Sequence, residues 1–297
     1  MPEDVMYRPP FEADSLLLEV TRGCSHNRCS FCTMYRDVPF AVIPEDQIRR
    51  SIQREAQYRP HARRVFLENG DPFALDAERL LHIAELVRTS LPHVETIAMY
   101  ASVNNIANKS DNDLVRLRNA GINELNIGVE SGLDSALSLM NKGYSAAQAQ
   151  SELLRLRSAG IDYGANIIFG CAGSGNWKAN AEMTADLLNA TSPYLIFTGT
   201  IHADPGCSLH DAMRDGSFAE STFGEYLDEE ELLLSMLNLE NCLYFGLHPS
   251  NVVPMQGLIP RDREAMLREI RNMRTRLCGR LDQHPVRTGE GAILNRG

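Results

Sequence analysis

The chain has 297 residues, of which 43% are hydrophobic and 23% are charged, and its formal net charge is −10. This composition is ordinary for a soluble globular enzyme, and the length allows one large α/β domain with a smaller appendage. The negative charge disfavours broad electrostatic capture of nucleic acid or anionic lipid, although a specific RNA could still bind through a local basic patch.

The start of the chain and its cysteines indicate a cellular location. Residues 1–10 lack the basic end and the apolar run of a signal peptide, and no apolar stretch reaches the length of a membrane span. The seven cysteines are too sparse for a secreted disulfide framework, yet three of them fall within nine residues. We therefore expect a cytoplasmic protein without membrane association, in which the clustered cysteines form a metal or cluster site.

Short apolar runs alternate with longer amphipathic segments from about residue 15 onward. The runs are rich in β-branched and aromatic residues and are mostly bounded by Gly, Asn, Ser or Pro, which is typical of buried parallel strands. The predicted strands are 16–20, 65–68, 96–101, 125–129, 165–169 and 194–197.

The segments between these strands have helical periodicity. Pro44 suits the first turn of a helix that runs toward Tyr58, and Gly121 and Gly160 suit the ends of two others. Six strand–helix units joined by right-handed crossovers predict a parallel sheet or a curved barrel. Two apolar helix faces carry the periodicity, one with Leu80, Ala84, Val87 and Leu91 and one with Ala149, Leu153 and Leu156.

The strand–helix rhythm is lost after about residue 205, where residues 225–239 and 263–277 have helical patterns. We predict three parts: an N-terminal segment (1–14), an α/β core (15–205) and a mainly helical C-terminal region (206–297) that covers the mouth of the core. The second helical pattern has one apolar face, formed by Met266, Ile270, Met273 and Leu277.

The least ordinary stretch of the C-terminal region is 248–260, whose prolines and glycine predict a fixed irregular loop. Within it, His248, Ser250 and Asn251 either point polar groups at a substrate or brace the loop. Cys171, just after the fifth predicted strand, is either a hydrogen donor or a packing residue.

The clustered cysteines are Cys24, Cys29 and Cys32, spaced C-x4-C-x2-C in the loop after the first predicted strand. In βα barrels, chemistry takes place at this end of the strands. Three thiolates can bind three corners of a cubane iron–sulfur cluster and leave the fourth iron open. A structural zinc site usually has four ligands in two pairs, and His26 as the fourth would leave a cramped loop. The residues alone leave a cluster and a zinc site open.

This loop, including Phe31 before the last cysteine, resembles that of radical S-adenosylmethionine (SAM) enzymes, whose commonest spacing is C-x3-C-x2-C. Asn69-Gly70-Asp71 after the second strand resembles their "GGE" element, which holds the SAM amino group. The segment 128–132 is similar to the "GxESG" pattern. That pattern belongs to the branch with oxygen-independent coproporphyrinogen oxidase, methylthiotransferases and anaerobic cyclases.

The resemblance implies further contacts with SAM. Glu130 would meet the SAM ribose or a neighbouring group, and Lys142 would pair with the SAM carboxylate. The segment 166–170 is similar to the region that packs on adenine, and Asn166 stands where relatives often have a ribose-binding carboxylate. Ser102, Ile201 and His202 also lie where relatives contact SAM.

The resemblance covers residues 15–205 and implies an α/β fold, a partial (βα)6 TIM-like barrel with a mainly helical C-terminal extension. It implies a [4Fe–4S] cluster on the three cysteines, SAM on the open iron, and an electron donor of the flavodoxin or ferredoxin type. The 5′-deoxyadenosyl radical would abstract hydrogen from an unidentified substrate, a small molecule rather than a nucleic acid, in an oxidoreductase or transferase reaction.

Two other classes stay open on the sequence. One is a zinc-stabilised binding or regulatory protein. The other is a cluster-bearing chaperone or sensor that binds SAM without cleaving it. The chain has no second cysteine cluster, which argues against enzymes with auxiliary clusters.

Overall fold

A computed structural model describes residues 8–288 and 291–293. The chain divides into two compact units. The first contains the described parts of Met1–Asn27, Met34–Ile127 and Glu152–Tyr163, and the second those of Arg28–Thr33, Gly128–Ser151 and Gly164–Gly297. Residues 1–7 of the predicted N-terminal segment, and residues 289, 290 and 294–297 of the predicted C-terminal region, lie outside the described residues.

The described strands and helices alternate along the first two thirds of the chain. The strands are β1 (Leu16–Glu19), β2 (Thr21–Arg22), β3 (Ala41–Val42), β4 (Arg64–Glu68), β5 (Thr96–Ala101), β6 (Ile122–Glu130), β7 (Asp162–Phe169), β8 (Leu195–Thr200), β9 (Cys242–Gly246) and β10 (Met255–Ile259). The α-helices are α1 (Glu45–Tyr58), α2 (Ala77–Ser90), α3 (Val103–Ala107), α4 (Asp111–Asn119), α5 (Asp134–Leu139), α6 (Ala146–Ala159), α7 (Trp177–Thr191), α8 (Ser208–Asp215), α9 (Phe223–Met236) and α10 (Arg263–Arg276).

The main sheet has eight strands in the order β1-β4-β5-β6-β7-β8-β9-β10. In the first unit, β1, β4, β5 and β6 pair in parallel, and in the second unit β7, β8 and β9 do the same. β10 is antiparallel to β9, and the short strands β2 and β3 form a separate antiparallel pair. Each of the six predicted strands is present, so the predicted α/β fold is confirmed.

The strands of the first unit bury one continuous apolar face. Helices α1, α2 and α4 follow these strands and contribute buried aliphatic side chains of their own. Since side chains alternate across a strand, the residues between them point to the opposite face. The apolar face is formed by Leu16, Leu18, Val65, Leu67, Ile97, Met99, Leu125 and Ile127.

Local sequence signals fix the ends of the helices. The Asp76 side chain accepts a hydrogen bond from the Arg79 backbone at the start of α2, and Ser110 with Asp113 forms a capping box at the start of α4. Gly121 has φ +94°, a conformation that favours glycine after a helix. Pro44 is the residue that precedes α1, so the prediction that it lies in the first turn was one residue early.

The C-terminal region is mainly helical, as predicted, because α8, α9 and α10 occupy most of its regular structure. It also holds β9 and β10, which extend the sheet and were not predicted. The expected irregular loop over 248–260 is wrong for Met255–Ile259, which form β10. No described helix is long and apolar enough to cross a membrane.

Leu67→Ala tests the apolar face of the first unit. Leu67 on β4 is fully buried, so truncation leaves a cavity and lowers the free energy of unfolding by about 2–5 kcal/mol. Leu154 on α6 is 37% exposed, and Leu154→Ala changes the same quantity by no more than about 0.5 kcal/mol. Urea denaturation of both variants measures the difference, and equal losses would contradict this assignment of the core.

Candidate cofactor site

The first part of the cysteine loop belongs to the first unit and lies against the turn after β4. A Cβ added to Gly70 would overlap the carbonyl oxygen of Gly23, so the two backbones touch with no room for a side chain. The Ser25 hydroxyl donates a hydrogen bond to the Asp71 carboxylate. Cys24 lies between these two contacts in the chain. The structure therefore places the two neighbours of Cys24 in the chain against Gly70 and Asp71.

Asp71 is a buried carboxylate with two side-chain donors. The Asn105 carboxamide on α3 donates to one oxygen, and Ser25 donates to the other. Burial raises the pKa of Asp71, while Ser25, Lys109 and Asn105 oppose the rise. Lys109 donates to the Phe73 carbonyl at 2.7 Å, and burial lowers its pKa to about 8. The carboxylate is therefore held in one orientation next to an ammonium group.

Two other predicted residues of the first unit have local roles. The Ser102 hydroxyl caps α3 by accepting a hydrogen bond from the Asn105 backbone at 3.3 Å. Asn69 has φ +66° and donates its side-chain amide to the Glu19 carboxylate at 2.9 Å. Both side chains thus order the strand ends that carry Asp71.

The second part of the cysteine loop, Arg28–Thr33, belongs to the second unit. Ser30 fixes it from both sides, because its hydroxyl donates to the Leu139 carbonyl at 2.8 Å and its carbonyl accepts from the Leu209 backbone at 2.9 Å. Cys29 and Cys32 flank this residue, and the Cys32 backbone donates to the Cys29 carbonyl at 3.3 Å. The two cysteines therefore sit on a turn that is anchored at the end of α5 and the start of α8.

Glu130 and Lys142 form a buried ion pair with 2.9 Å between Nζ and Oε1. Glu130 ends β6 with φ +65°, and Tyr144 donates its hydroxyl to the Gly128 carbonyl at 2.7 Å beside the pair. Burial lowers the pKa of Lys142, but the Glu130 carboxylate, with smaller contributions from Tyr144 and Cys29, outweighs burial and raises it well above its usual value. Lys142 is therefore a fixed cation within electrostatic reach of the Cys29 thiol.

The remaining residues with a predicted SAM contact all lie in the second unit. Phe31 is half-buried in the cysteine turn, and Asn166 is half-buried on β7. Ile201 is buried just after β8, where its backbone donates to the Phe169 carbonyl at 2.8 Å. His202 is half-buried, and burial lowers its pKa.

The three residues predicted on the substrate side join the turn after β9 to β8. His248 Nδ1 lies 2.7 Å from the Ser250 hydroxyl, which accepts a hydrogen bond from the Thr200 backbone at 3.0 Å. Asn251 donates its amide to the carbonyls of Thr198 and Gly246, both at 2.9 Å. These contacts favour the bracing role, and a contact with substrate stays a prediction.

The thiols of the cysteine loop form a set of possible donors for a cluster. No disulfide bond joins any of the seven cysteines, all of which lie among the described residues, and Cys24, Cys29 and Cys32 are half-buried rather than sealed in the core. Within the described residues, no three His, Cys, Asp or Glu side chains are placed to hold one metal ion. A cubane binds each thiolate at a different iron, so its ligands lie further apart than those of a single ion. The donor chemistry of three thiolates therefore fits an iron–sulfur cluster.

Sequence reasoning missed several contacts that position the predicted residues. Ser25 lies in the recognised loop, but its hydrogen-bond partner Asp71 is 46 residues away in the sequence. Asn105 belongs to no recognised motif. The only signal for its location is that it lies three residues after Ser102, which caps α3. The pairing of Glu130 with Lys142 was also missed, because the resemblance assigned each of them to SAM separately.

The Glu130–Lys142 pair has a measurable signature. Lys142→Met leaves a buried carboxylate without its cation, so it lowers the free energy of unfolding by about 3–5 kcal/mol. The double variant Glu130→Gln with Lys142→Met removes both charges and recovers most of that loss. Denaturation of the cluster-free protein measures all three variants, and a double variant as unstable as Lys142→Met would refute a coupled buried pair.

Comparison with known proteins identifies the family. The family model described as the Radical SAM superfamily matches residues 18–182, which is more than half of the chain. No curated protein matches the chain.

Several solved structures share the fold of this chain at low sequence identity. Methylornithine synthase (PylB) matches with a TM-score of 0.55 and 16% identity, over 86% of this chain and 68% of that one. HydG, a maturase of the [FeFe]-hydrogenase, matches with a TM-score of 0.54 and 14% identity, over 86% of this chain and 54% of the HydG chain. The methyltransferase TsrM from Kitasatospora setae was solved with cobalamin and a [4Fe–4S] cluster. It matches with a TM-score of 0.53 and 15% identity, over 68% of this chain and 39% of the TsrM chain.

The chain thus spans between about two fifths and two thirds of the length of these three structures. At these identities the likeness shows the fold alone, and it agrees with the predicted partial barrel. Taken with the cysteine loop and the strand-end residues, the family match shows that the chain belongs to the radical SAM superfamily.

Proposed function

We propose that Cys24, Cys29 and Cys32 bind a [4Fe–4S] cluster and that the protein uses it to cleave SAM reductively. The observation that carries this proposal is the contact of Gly23 with Gly70, together with the Ser25–Asp71 hydrogen bond. These contacts hold the first cysteine of the motif beside the acidic turn that, in the family, receives the SAM amino group.

When bound, the cluster supplies the electron that splits SAM into methionine and a 5′-deoxyadenosyl radical, which takes a hydrogen atom from the substrate. The residues of the chain bind and orient SAM. Asp71 accepts a hydrogen bond from the SAM amino group, and that donor favours the ionised carboxylate over the burial that raises its pKa. Ser25 and Asn105 fix the direction of the two Asp71 oxygens.

Lys142 is proposed to bind the SAM carboxylate while it keeps its bond to Glu130. A lysine ammonium has three donors, so two carboxylates can share it. The Lys142 ammonium is already desolvated in the buried pair with Glu130. Part of the desolvation cost of binding an anion in a closed site is therefore absent when SAM binds. Asn166, Ile201 and His202 are proposed to line the adenosine side, and Phe31 and Ser102 to border the site.

The proposal also includes an electron donor, a class of substrate and a role for the C-terminal region. An external one-electron donor of the flavodoxin or ferredoxin type reduces the cluster in the cytoplasm. The substrate is a small molecule rather than a nucleic acid, and residues 206–297 cover the mouth of the core. Radical chemistry of this kind requires exclusion of water and oxygen from the site.

Anaerobic reconstitution tests the cluster ligands. The wild-type protein is expected to take up about four iron and four sulfide per chain, and Cys29→Ala is expected to lose the SAM-responsive cluster while it stays folded. Cys278→Ala is the matched control, because Cys278 is exposed and lies outside the loop. A Cys29→Ala protein that still assembles a SAM-responsive cluster would rule out the ligand assignment.

Turnover is measured on the same samples after reduction with dithionite and addition of SAM. Formation of 5′-deoxyadenosine by the wild-type protein and the Cys278 variant, and its loss in Cys29→Ala, is the expected result. A complete cluster that binds SAM without forming 5′-deoxyadenosine would favour a chaperone or sensor. A colourless zinc protein would contradict the proposal as a whole.

Asp71→Asn tests the contact with the SAM amino group. A hydrogen bond to a charged group contributes about 1.5–3 kcal/mol, so the variant is expected to bind SAM about tenfold to a hundredfold more weakly. Asp46→Asn on the exposed side of α1 serves as the control. Equilibrium binding of SAM to the reconstituted proteins gives the affinities, and an unchanged affinity for Asp71→Asn would remove Asp71 from the site.

A further inference from the structure

The first unit carries a line of polar side chains on the sheet face opposite the helices. Glu19 lies opposite Glu68 in the register of β1 and β4, and Tyr100 lies opposite Asn126 in that of β5 and β6. Since Leu67 is opposite Met99, the next residue, Glu68, is level with Tyr100. Neighbouring strands are about 4.8 Å apart, so these four residues, here called the polar row, cross the sheet near the carboxyl ends of its strands.

Two members of the polar row bury polar atoms that have no hydrogen-bond partner among the described residues. Glu68 is 4% exposed, and its Oε2 has no hydrogen-bond donor. Asn126 is 1% exposed, and both Oδ1 and Nδ2 are unpaired. Leaving such groups buried and unpaired costs about 1–3 kcal/mol each. Native proteins rarely keep unpaired groups of this kind without a role, and a bound ligand is one that would satisfy both residues.

The other two residues of the polar row, Glu19 and Tyr100, do not have the unpaired buried atoms that Glu68 and Asn126 have. Glu19 accepts hydrogen bonds from Arg22 at 3.1 Å and from Asn69 at 2.9 Å. Burial raises the pKa of Tyr100, so its hydroxyl keeps its proton and can donate. The unsatisfied positions are therefore Glu68 and Asn126, with the Tyr100 ring between them.

The charge of the row indicates what kind of ligand fits. Burial and the neighbouring Glu19 raise the pKa of Glu68 to about 7, while Arg8 opposes the rise. A cation at Oε2 would replace this unfavourable burial with a charge-assisted hydrogen bond. One unpaired carboxylate oxygen suits a compact ammonium, whereas a planar guanidinium binds best to two. Asn126 both donates and accepts, so it suits a second polar group of the same molecule.

We propose that the polar row binds the substrate, a small molecule with a primary ammonium group held by Glu68 and a second hydrogen-bonding group held by Asn126. The proposal deepens the proposed function and rests on it, because it names the chemical class that would present a C–H bond for hydrogen abstraction. The SAM amino group is assigned to Asp71, so the polar row serves a different molecule.

The stability of the ligand-free protein separates a binding role from a structural one. Asn126→Leu removes two unpaired buried groups, so the midpoint of thermal unfolding is expected to rise by about 2–4 °C. Asn180 is the matched control, because it is equally buried but bonded to Ser131 and Glu229. Asn180→Leu is expected to lower the midpoint by at least about 4 °C. A comparable fall for Asn126→Leu would overturn the proposal.

Binding is measured with n-butylammonium as the probe and n-butanol as its uncharged match. Ligand-observed NMR on the anaerobic, reconstituted and SAM-loaded protein is expected to show saturation transfer to n-butylammonium in excess of n-butanol. Glu68→Gln is expected to weaken this binding at least tenfold, and Glu85→Gln, at an exposed position on α2, leaves it unchanged. Equal binding of the two probes, or n-butylammonium binding unaffected by Glu68→Gln, would overturn the proposal.

The SAM affinity of Glu68→Gln is recorded in the same experiment. A retained affinity supports a row that serves the substrate, and a lost affinity overturns the proposal by assigning the row to SAM. Formation of 5′-deoxyadenosine by the wild-type protein is a separate readout. Its absence contradicts the proposed function, while the two probes still report on the row itself.

Discussion

The contact between the backbones of Gly23 and Gly70 is the constraint on which the candidate site depends. It leaves no space for a Cβ, so the residues that follow β2 and β4 are held at a fixed distance. Ser25 and Asp71 form their hydrogen bond only because this contact brings the two turns together. The position of Cys24 thus follows from packing between two glycines, and any side chain at Gly70 would displace the turn or the loop.

Buried polar groups in this protein fall into two kinds, and the difference separates structural from ligand-binding roles. Glu130 with Lys142, and Asp71 with Ser25 and Asn105, have their partners in the chain. Those contacts offset the cost of desolvation and fix each group in one orientation. Within the part of the chain that the structure describes, Glu68 Oε2 and the Asn126 carboxamide lack such partners and keep that cost in the ligand-free protein. Natural proteins tolerate losses of stability of this size where function requires them.

Much of the fold could be predicted because buried parallel strands have a strong sequence signal. The predicted 96–101 coincides with β5, whereas β6 begins at Ile122, three residues before the predicted 125, because Asn123 and Glu124 interrupt its apolar pattern. β9 and β10 were missed because no helix separates them, so they do not continue the strand–helix rhythm. The motifs indicated which loops form the site. Its hydrogen-bond partners and the polar row depend on strand register, which a single sequence does not specify.

The most direct test of the central claim is a magnetic measurement on the reduced, reconstituted protein with SAM labelled with ¹⁵N at its amino group. If the cysteine loop holds a cluster whose open iron receives SAM beside Asp71, electron–nuclear double resonance will show a ¹⁵N hyperfine coupling to the reduced cluster. The Cys278→Ala protein will show the same coupling. A reduced cluster that binds SAM without any ¹⁵N coupling would contradict the account.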